Sequence, residues 1–124
     1  MTTFESLLSR HTDTQGNSDF AAWQRAVTLF DERRYTEAVK ILEPLVTTTP
    51  ERPVIGTASA RLLLARAYFH SAQLSRAIEL ATAIVQDDPA DGYARLLLSR
   101  ALQRAGRTEE ATGHQRLIEA MGVA

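Results

Sequence analysis

From Asp19 to Met121 the apolar residues recur at spacings of three and four, the period of one helical face. Polar and turn-forming breaks divide this run into six predicted helices. The first starts after Ser18, a favourable N-cap, and reaches about Glu32. The second spans about Tyr35 to Thr48. Pro44 lies inside it and removes a bond to the Lys40 carbonyl, which predicts a bend. The third starts at about Val54 or Thr57 and ends at Ser71. The fourth covers Leu74 to Gln86 and stops at Asp87-Asp88-Pro89. The fifth covers Asp91 to Arg104. After Gly106 the sixth runs from Thr108 to Met121, closed by Gly122. No stretch alternates usefully with period two, so no strand is predicted.

Ahead of this run the pattern is weaker. Thr2 and Glu5 have capping-box spacing, and Phe4, Leu7 and Leu8 would share one face, which predicts a short helix over residues 2–10. A helix that short is marginal unless it docks on something. His11 to Ser18 is polar, contains Gly16-Asn17 and reads as a linker. The chain therefore divides into an N-terminal segment and linker, 1–18, and one helical domain, 19–124.

Eight residues recur 34 positions apart. Ala60-Arg61-Leu62-Leu63-Leu64-Ala65-Arg66-Ala67 returns as Ala94-Arg95-Leu96-Leu97-Leu98-Ser99-Arg100-Ala101, with Ala65 replaced by Ser99. A fixed period of this length marks a stacked helix-turn-helix repeat. Small residues stand at matching places: Ala26, Ala65 and Ser99 in the first helix of each pair, and Ala38, Ala77 and Ala111 in the second. Leu29, Tyr68 and Leu102 stand at a further matching place in the first helices, and Tyr35, Leu74 and Thr108 at another in the second. Pro50 and Pro89 close the first two units. In this pattern the chain resembles the tetratricopeptide repeat (TPR) family over residues 19–122. The resemblance implies an all-α fold of three antiparallel hairpins, stacked as a right-handed α-solenoid over about 19–52, 53–91 and 92–124. The small residues then let the two helices of each hairpin approach closely.

Three departures stand out. Only Gly106 supplies the family's turn glycine, with Arg33 and Ala72 in the other copies. Arg25 replaces an apolar residue. About five extra residues, around Glu51 to Ile55, separate the first two units. The last helix carries Thr112, Gln115 and Glu119 where the preceding unit has Ile78, Ala81 and Val85, which predicts a polar outer face and an array complete at its C-terminal end.

The resemblance also places an inner groove. Its residues in the first unit are Phe20, Trp23, Val27, Phe30 and Asp31. In the second they are Ser59, Leu62, Arg66, Phe69 and His70, and in the third Tyr93, Leu96, Arg100, Gln103 and Arg104. One end would be aromatic and the other basic. Arg66 and Arg100 occupy the same repeat position and would stand side by side, an arrangement that receives anions. The same arginines also fit an ordinary solvent-facing stripe. Phe20, Trp23, Val27 and Phe30 also have core spacing, and a turn one residue short at Arg33-Arg34 would move Trp23 and Phe30 into the core. The ungapped register is preferred. If the stripe is groove, Phe4, Leu7 and Leu8 are expected to cover it, in the same chain or a neighbouring one. The residues that form a chaperone carboxylate clamp in some family members are replaced here by Trp23, Val27, Leu63, Tyr93 and Leu97, so that specific function is rejected.

Charge and composition remove other functions. Net charge is -1, which gives no general attraction for nucleic acid or an anionic membrane. There is no Cys, hence no disulfide or thiolate chemistry. His11, His70 and His114 have no metal-ligand spacing, and the acidic pairs Asp31-Glu32, Asp87-Asp88 and Glu109-Glu110 lie at turns or helix starts, where carboxylates are solvated or favour the helix dipole. No phosphate loop, nucleophile elbow or zinc motif occurs. No catalytic residue, metal or cofactor is expected. No apolar run is long enough to span a bilayer and no secretory signal is evident, so a cytoplasmic protein is expected. The functional expectation is a non-enzymatic module that binds a peptide or helix of an unidentified partner protein in the concave groove, where the paired arginines suit an acidic partner. The alternative is a structural homo-oligomerisation module, its groove filled by its own N-terminal segment or by another copy.

Overall fold

A computed structural model describes the backbone of residues 4–47 and 58–122, and side chains from Ser18 onward within those spans. Six helices follow one another: α1 (Phe4–Asp31), α2 (Tyr35–Val46), α3 (Ala58–His70), α4 (Leu74–Asp87), α5 (Gly92–Arg104) and α6 (Thr108–Met121). The described residues contain no strand. Each helix packs on the next, giving three hairpins in a row, and α3 also touches both α1 and α5. Among the described residues no such contact joins α2 to α4 or α4 to α6. The first helices of the hairpins are thus the closer set, and they form the inner wall of a curved array.

The small residues set this packing. Ala26, Ala38, Ala65 and Ala77 are fully buried, and Ser99 and Ala111 are 1% exposed. The one difference between the eight-residue copies has a local reason. The Ser99 hydroxyl, buried in the third hairpin, donates to the Ala111 carbonyl at 3.3 Å. Larger side chains, among them Leu42, Leu98 and Leu102, fill the remaining space.

The three hairpin turns are one structure made with three sequences. Arg33, Ala72 and Gly106 all have left-handed backbone, with φ of 64°, 63° and 81°. In each, the left-handed residue donates its N–H three residues back, to Phe30, Phe69 or Gln103, at 2.9–3.2 Å. The next N–H reaches five back, to Leu29, Tyr68 or Leu102, at 2.8 Å. This pair of bonds is the Schellman helix stop. Because Arg33 aligns with Ala72 and Gly106, the register is ungapped, and the shifted alternative for Trp23 and Phe30 is removed.

The N-terminal expectation is corrected. Neither a linker at His11–Ser18 nor an N-cap at Ser18 is seen: α1 runs unbroken for 28 residues from Phe4. Extending an existing helix avoids a new nucleation step, and a single interior Gly costs only about 1 kcal/mol. Phe4 therefore lies about 24 Å along the axis from Phe20, at 1.5 Å per residue. It cannot fold back over the Phe20–Phe30 stripe of its own helix. Pro44 sits in the last turn of α2, and Thr47 caps the Glu43 carbonyl there at 3.1 Å. Pro50, the extra residues around Glu51 to Ile55 and the alternative starts of the third helix lie outside the described residues. The sixth helix keeps the polar outer face expected of it: Glu119 is exposed and Thr112 and Gln115 half-buried, where Ile78, Ala81 and Val85 are buried.

Candidate functional site

The inner wall of α1, α3 and α5 holds two adjoining cavities. The larger, about 310 Å³, is lined by Trp23, Val27, Phe30, Asp31, Ser59, Leu62, Leu63 and Arg66. The smaller, about 90 Å³, is lined by Arg66, Phe69, His70, Tyr93, Leu96, Leu97 and Arg100. Residues from all three repeats thus meet on one surface, and Arg66 borders both cavities.

Of the fifteen residues the sequence assigns to the groove, twelve line these cavities. Phe20, Gln103 and Arg104 line neither. Phe20 is 61% exposed on α1. Arg104 lies 4.8 Å over the Phe69 ring and donates to the Phe69 carbonyl at 3.3 Å. Trp23, Val27 and Phe30 are half-buried and also rest against the core, so the stripe forms a wall with both characters. Leu63 and Leu97 are cavity residues that sequence reasoning did not assign. Each stands one helical turn after Ser59 or Tyr93, and that i,i+4 neighbour relation was the available signal.

An aromatic cluster stiffens the middle of the groove. Tyr35 stacks on His70 with ring centroids 4.7 Å apart, and Phe30 meets both edge-on at 5.1 and 5.6 Å. Phe69 packs edge-on against His70 at 5.4 Å. Burial pushes the His70 pKa below its ordinary value, and the cations of Arg66 and Arg104 push it further down. His70 therefore favours its neutral form more than a free imidazole does.

The Arg66 guanidinium lies 4.6 Å from the Phe30 ring centroid and 5.8 Å from that of Tyr93. Ring faces attract a cation but leave its N–H donors free. Elsewhere arginines hold carboxylates: Arg34 with Glu37 at 2.7 Å, Arg61 with Asp87 at 2.8 Å and Arg107 with Glu110 at 2.8 Å. Among the described residues none pairs with Arg66, Arg100 or Arg104.

A family model for the tetratricopeptide repeat matches residues 29–91 and, overlapping these, 68–113. The chain belongs to the tetratricopeptide repeat family. TPR arrays are typically protein–protein interaction modules, and the groove described above is the inner face of such an array. A solved structure described as "MamA RS-1 ArsTM double mutant" is similar, with a TM-score of 0.74 and 23% identity over 92% of this chain. At that identity the likeness shows the TPR fold alone, and this chain spans 61% of the length of that structure. No curated protein sequence matches. Among the described residues no group of three or more potential metal ligands occurs, and no helix is long and apolar enough to cross a membrane.

Proposed function

We propose that this TPR chain is a non-enzymatic adaptor that holds a peptide or helix of a partner protein, acidic in part, along its concave face. The observation that supports this reading is the pair of adjoining cavities, with an apolar end at Trp23 and Leu62 and a cationic end at Arg66 and Arg100. An apolar surface with a few placed charges suits a polypeptide ligand, which offers both kinds of group. The test is affinity capture with wild-type protein and two variants, Leu62→Arg in the groove and Glu79→Arg on the exposed side of α4. A true groove partner is retained by wild type and by Glu79→Arg and is lost with Leu62→Arg. Equal retention by all three rejects the reading.

Self-association is the second reading, and one observation favours a restricted form of it. α1 exceeds α2 by 16 residues, the difference between 28 and 12, so its N-terminal part runs beyond the first hairpin. That geometry leaves a neighbouring copy, not the same chain, as the source of any N-terminal segment in the groove. Sedimentation of the full chain and of a chain lacking residues 1–15 tests it. Loss of a dimer or larger species on deletion supports it, and a monomer in both cases ends it.

A further inference from the structure

The two cavities differ in a way that specifies a ligand, on the premise that the groove is the binding face. The larger one has apolar walls at Trp23, Val27 and Leu62, and Asp31 stands at its margin. A carboxylate would meet like charge there, while an apolar side chain would not. The smaller one brings Arg66 and Arg100 together around 90 Å³, room for a small polar group. Arg66 is the wall between them. Phe30 and Tyr93 hold its guanidinium in place without accepting a hydrogen bond from it. A guanidinium fixed in this way keeps its planar fork of donors for a carboxylate and loses little freedom on binding one.

We propose that Arg66 and Arg100 form a carboxylate subsite, and that the groove prefers an extended acidic peptide with a bulky apolar residue two positions from the bound carboxylate. The spacing follows from the shared wall. Groups on either side of one guanidinium are a few ångströms apart, and in an extended chain side chains two residues apart point the same way about 7 Å apart. The apolar side chain fills the larger cavity and the carboxylate the smaller. The opposite placement sets the ligand's acid against Asp31.

Selection from a random peptide library displayed between Gly-Ser spacers, on the immobilised full chain, tests this directly. Enriched sequences are then made as amidated peptides and titrated by fluorescence anisotropy. The expected sequences carry Asp or Glu two positions from Leu, Ile, Met, Phe or Trp. Changing that acid to its amide lowers affinity roughly tenfold or more, as loss of charge-assisted hydrogen bonds should. The double change Arg66→Gln with Arg100→Gln does the same, and the two losses do not add, because they remove one interaction. The amide change on the ligand needs no protein variant, so misfolding cannot mimic it. Versions with a free C-terminus show whether a chain end serves as the carboxylate; binding through it supports the same subsite. Neutral peptides that lose binding with Leu62→Asp overturn the carboxylate subsite and leave the groove reading standing. Enriched peptides indifferent to Leu62→Asp, or no enrichment at all, overturn both.

Discussion

The second and third repeats share seven of eight residues in the copied segment, yet the same side chains live in different surroundings. Arg61 pairs with Asp87 at the end of α4, 2.8 Å away. Its counterpart Arg95 finds Met121 at the corresponding place in α6, and is instead buried, with Nη1 3.1 Å from His114 Nδ1 and Nη2 3.3 Å from the Pro89 carbonyl. Arg95 Nε is left without a partner. Arg66 is half-buried over two rings, while Arg100 is exposed. The lesson is that a repeat unit specifies its hairpin, but its neighbours specify what each polar side chain does.

The close helix contacts should be the most sensitive part of this comparison. Ala65→Leu forces extra volume between α3 and α4 and should destabilise by roughly 1–3 kcal/mol, read from the urea midpoint. Ser99→Ala at the matching site removes a hydroxyl and its bond to Ala111 together, so a change within about 1 kcal/mol is expected. Similar losses at both positions would contradict the packing account. The turns come next. Gly106→Ala places a Cβ at φ of 81° with no neighbour within 4 Å, so its penalty is conformational, about 1 kcal/mol. Ala72→Gly relieves the same strain in the second hairpin and should stabilise by up to about 1 kcal/mol. A loss of stability there would show that the turn tolerates Ala at no cost.

The hairpin array was legible because burial and helical period are local and repeated: Ala26, Ala65 and Ser99 stand 39 and then 34 residues apart and carry the same packing duty. The groove residues followed from that register. The unbroken α1 was not legible, because Gly16-Asn17 permits a break without requiring one. Arg95 was missed for a related reason. Its sequence copy, Arg61, reaches a carboxylate, and nothing in the octad says that α6 offers His114 in its place. Nor does the sequence show Arg66 lying between Phe30 of one repeat and Tyr93 of another, since that contact spans 63 residues.

Those hidden contacts make the two histidines respond to acid. His114 is pushed below its ordinary 6.5 by burial and then by Arg95, with Glu110 opposing. His70 is pushed down by burial and then by Arg66 and Arg104. A depressed histidine binds its proton more readily in the unfolded chain. Their contribution to stability is thus whole above about pH 6.5 and is lost as pH falls through the folded-state values below that. Urea midpoints at pH 8 and pH 5.5 should differ in the wild type. His114→Gln should shrink the difference, because a glutamine carbonyl accepts from Arg95 and does not titrate. An unchanged pH response would remove His114 from the account.

The smallest effect expected belongs to the pair that looks strongest at first sight. Arg61 and Asp87 are 2.8 Å apart, with the arginine side chain 20% exposed and the carboxylate 68% exposed. Water screens the exposed partner, and exposed ion pairs contribute roughly 0.2–1 kcal/mol. The carboxylate also ends α4, where the helix dipole disfavours negative charge. Asp87→Asn weakens the attraction, relieves that repulsion and keeps an acceptor for Arg61, so its net effect should be under about 0.5 kcal/mol. Arg95→Met should cost more than Arg61→Met if the buried guanidinium bridges α6 to the Pro89 loop. It should cost less if the unpartnered Nε already makes burial unfavourable. Thermal midpoints of the two methionine variants, with Asp87→Asn as the reference, separate these outcomes. Equal losses at Arg61 and Arg95 would mean that repeat position, not neighbouring structure, decides what the two arginines contribute.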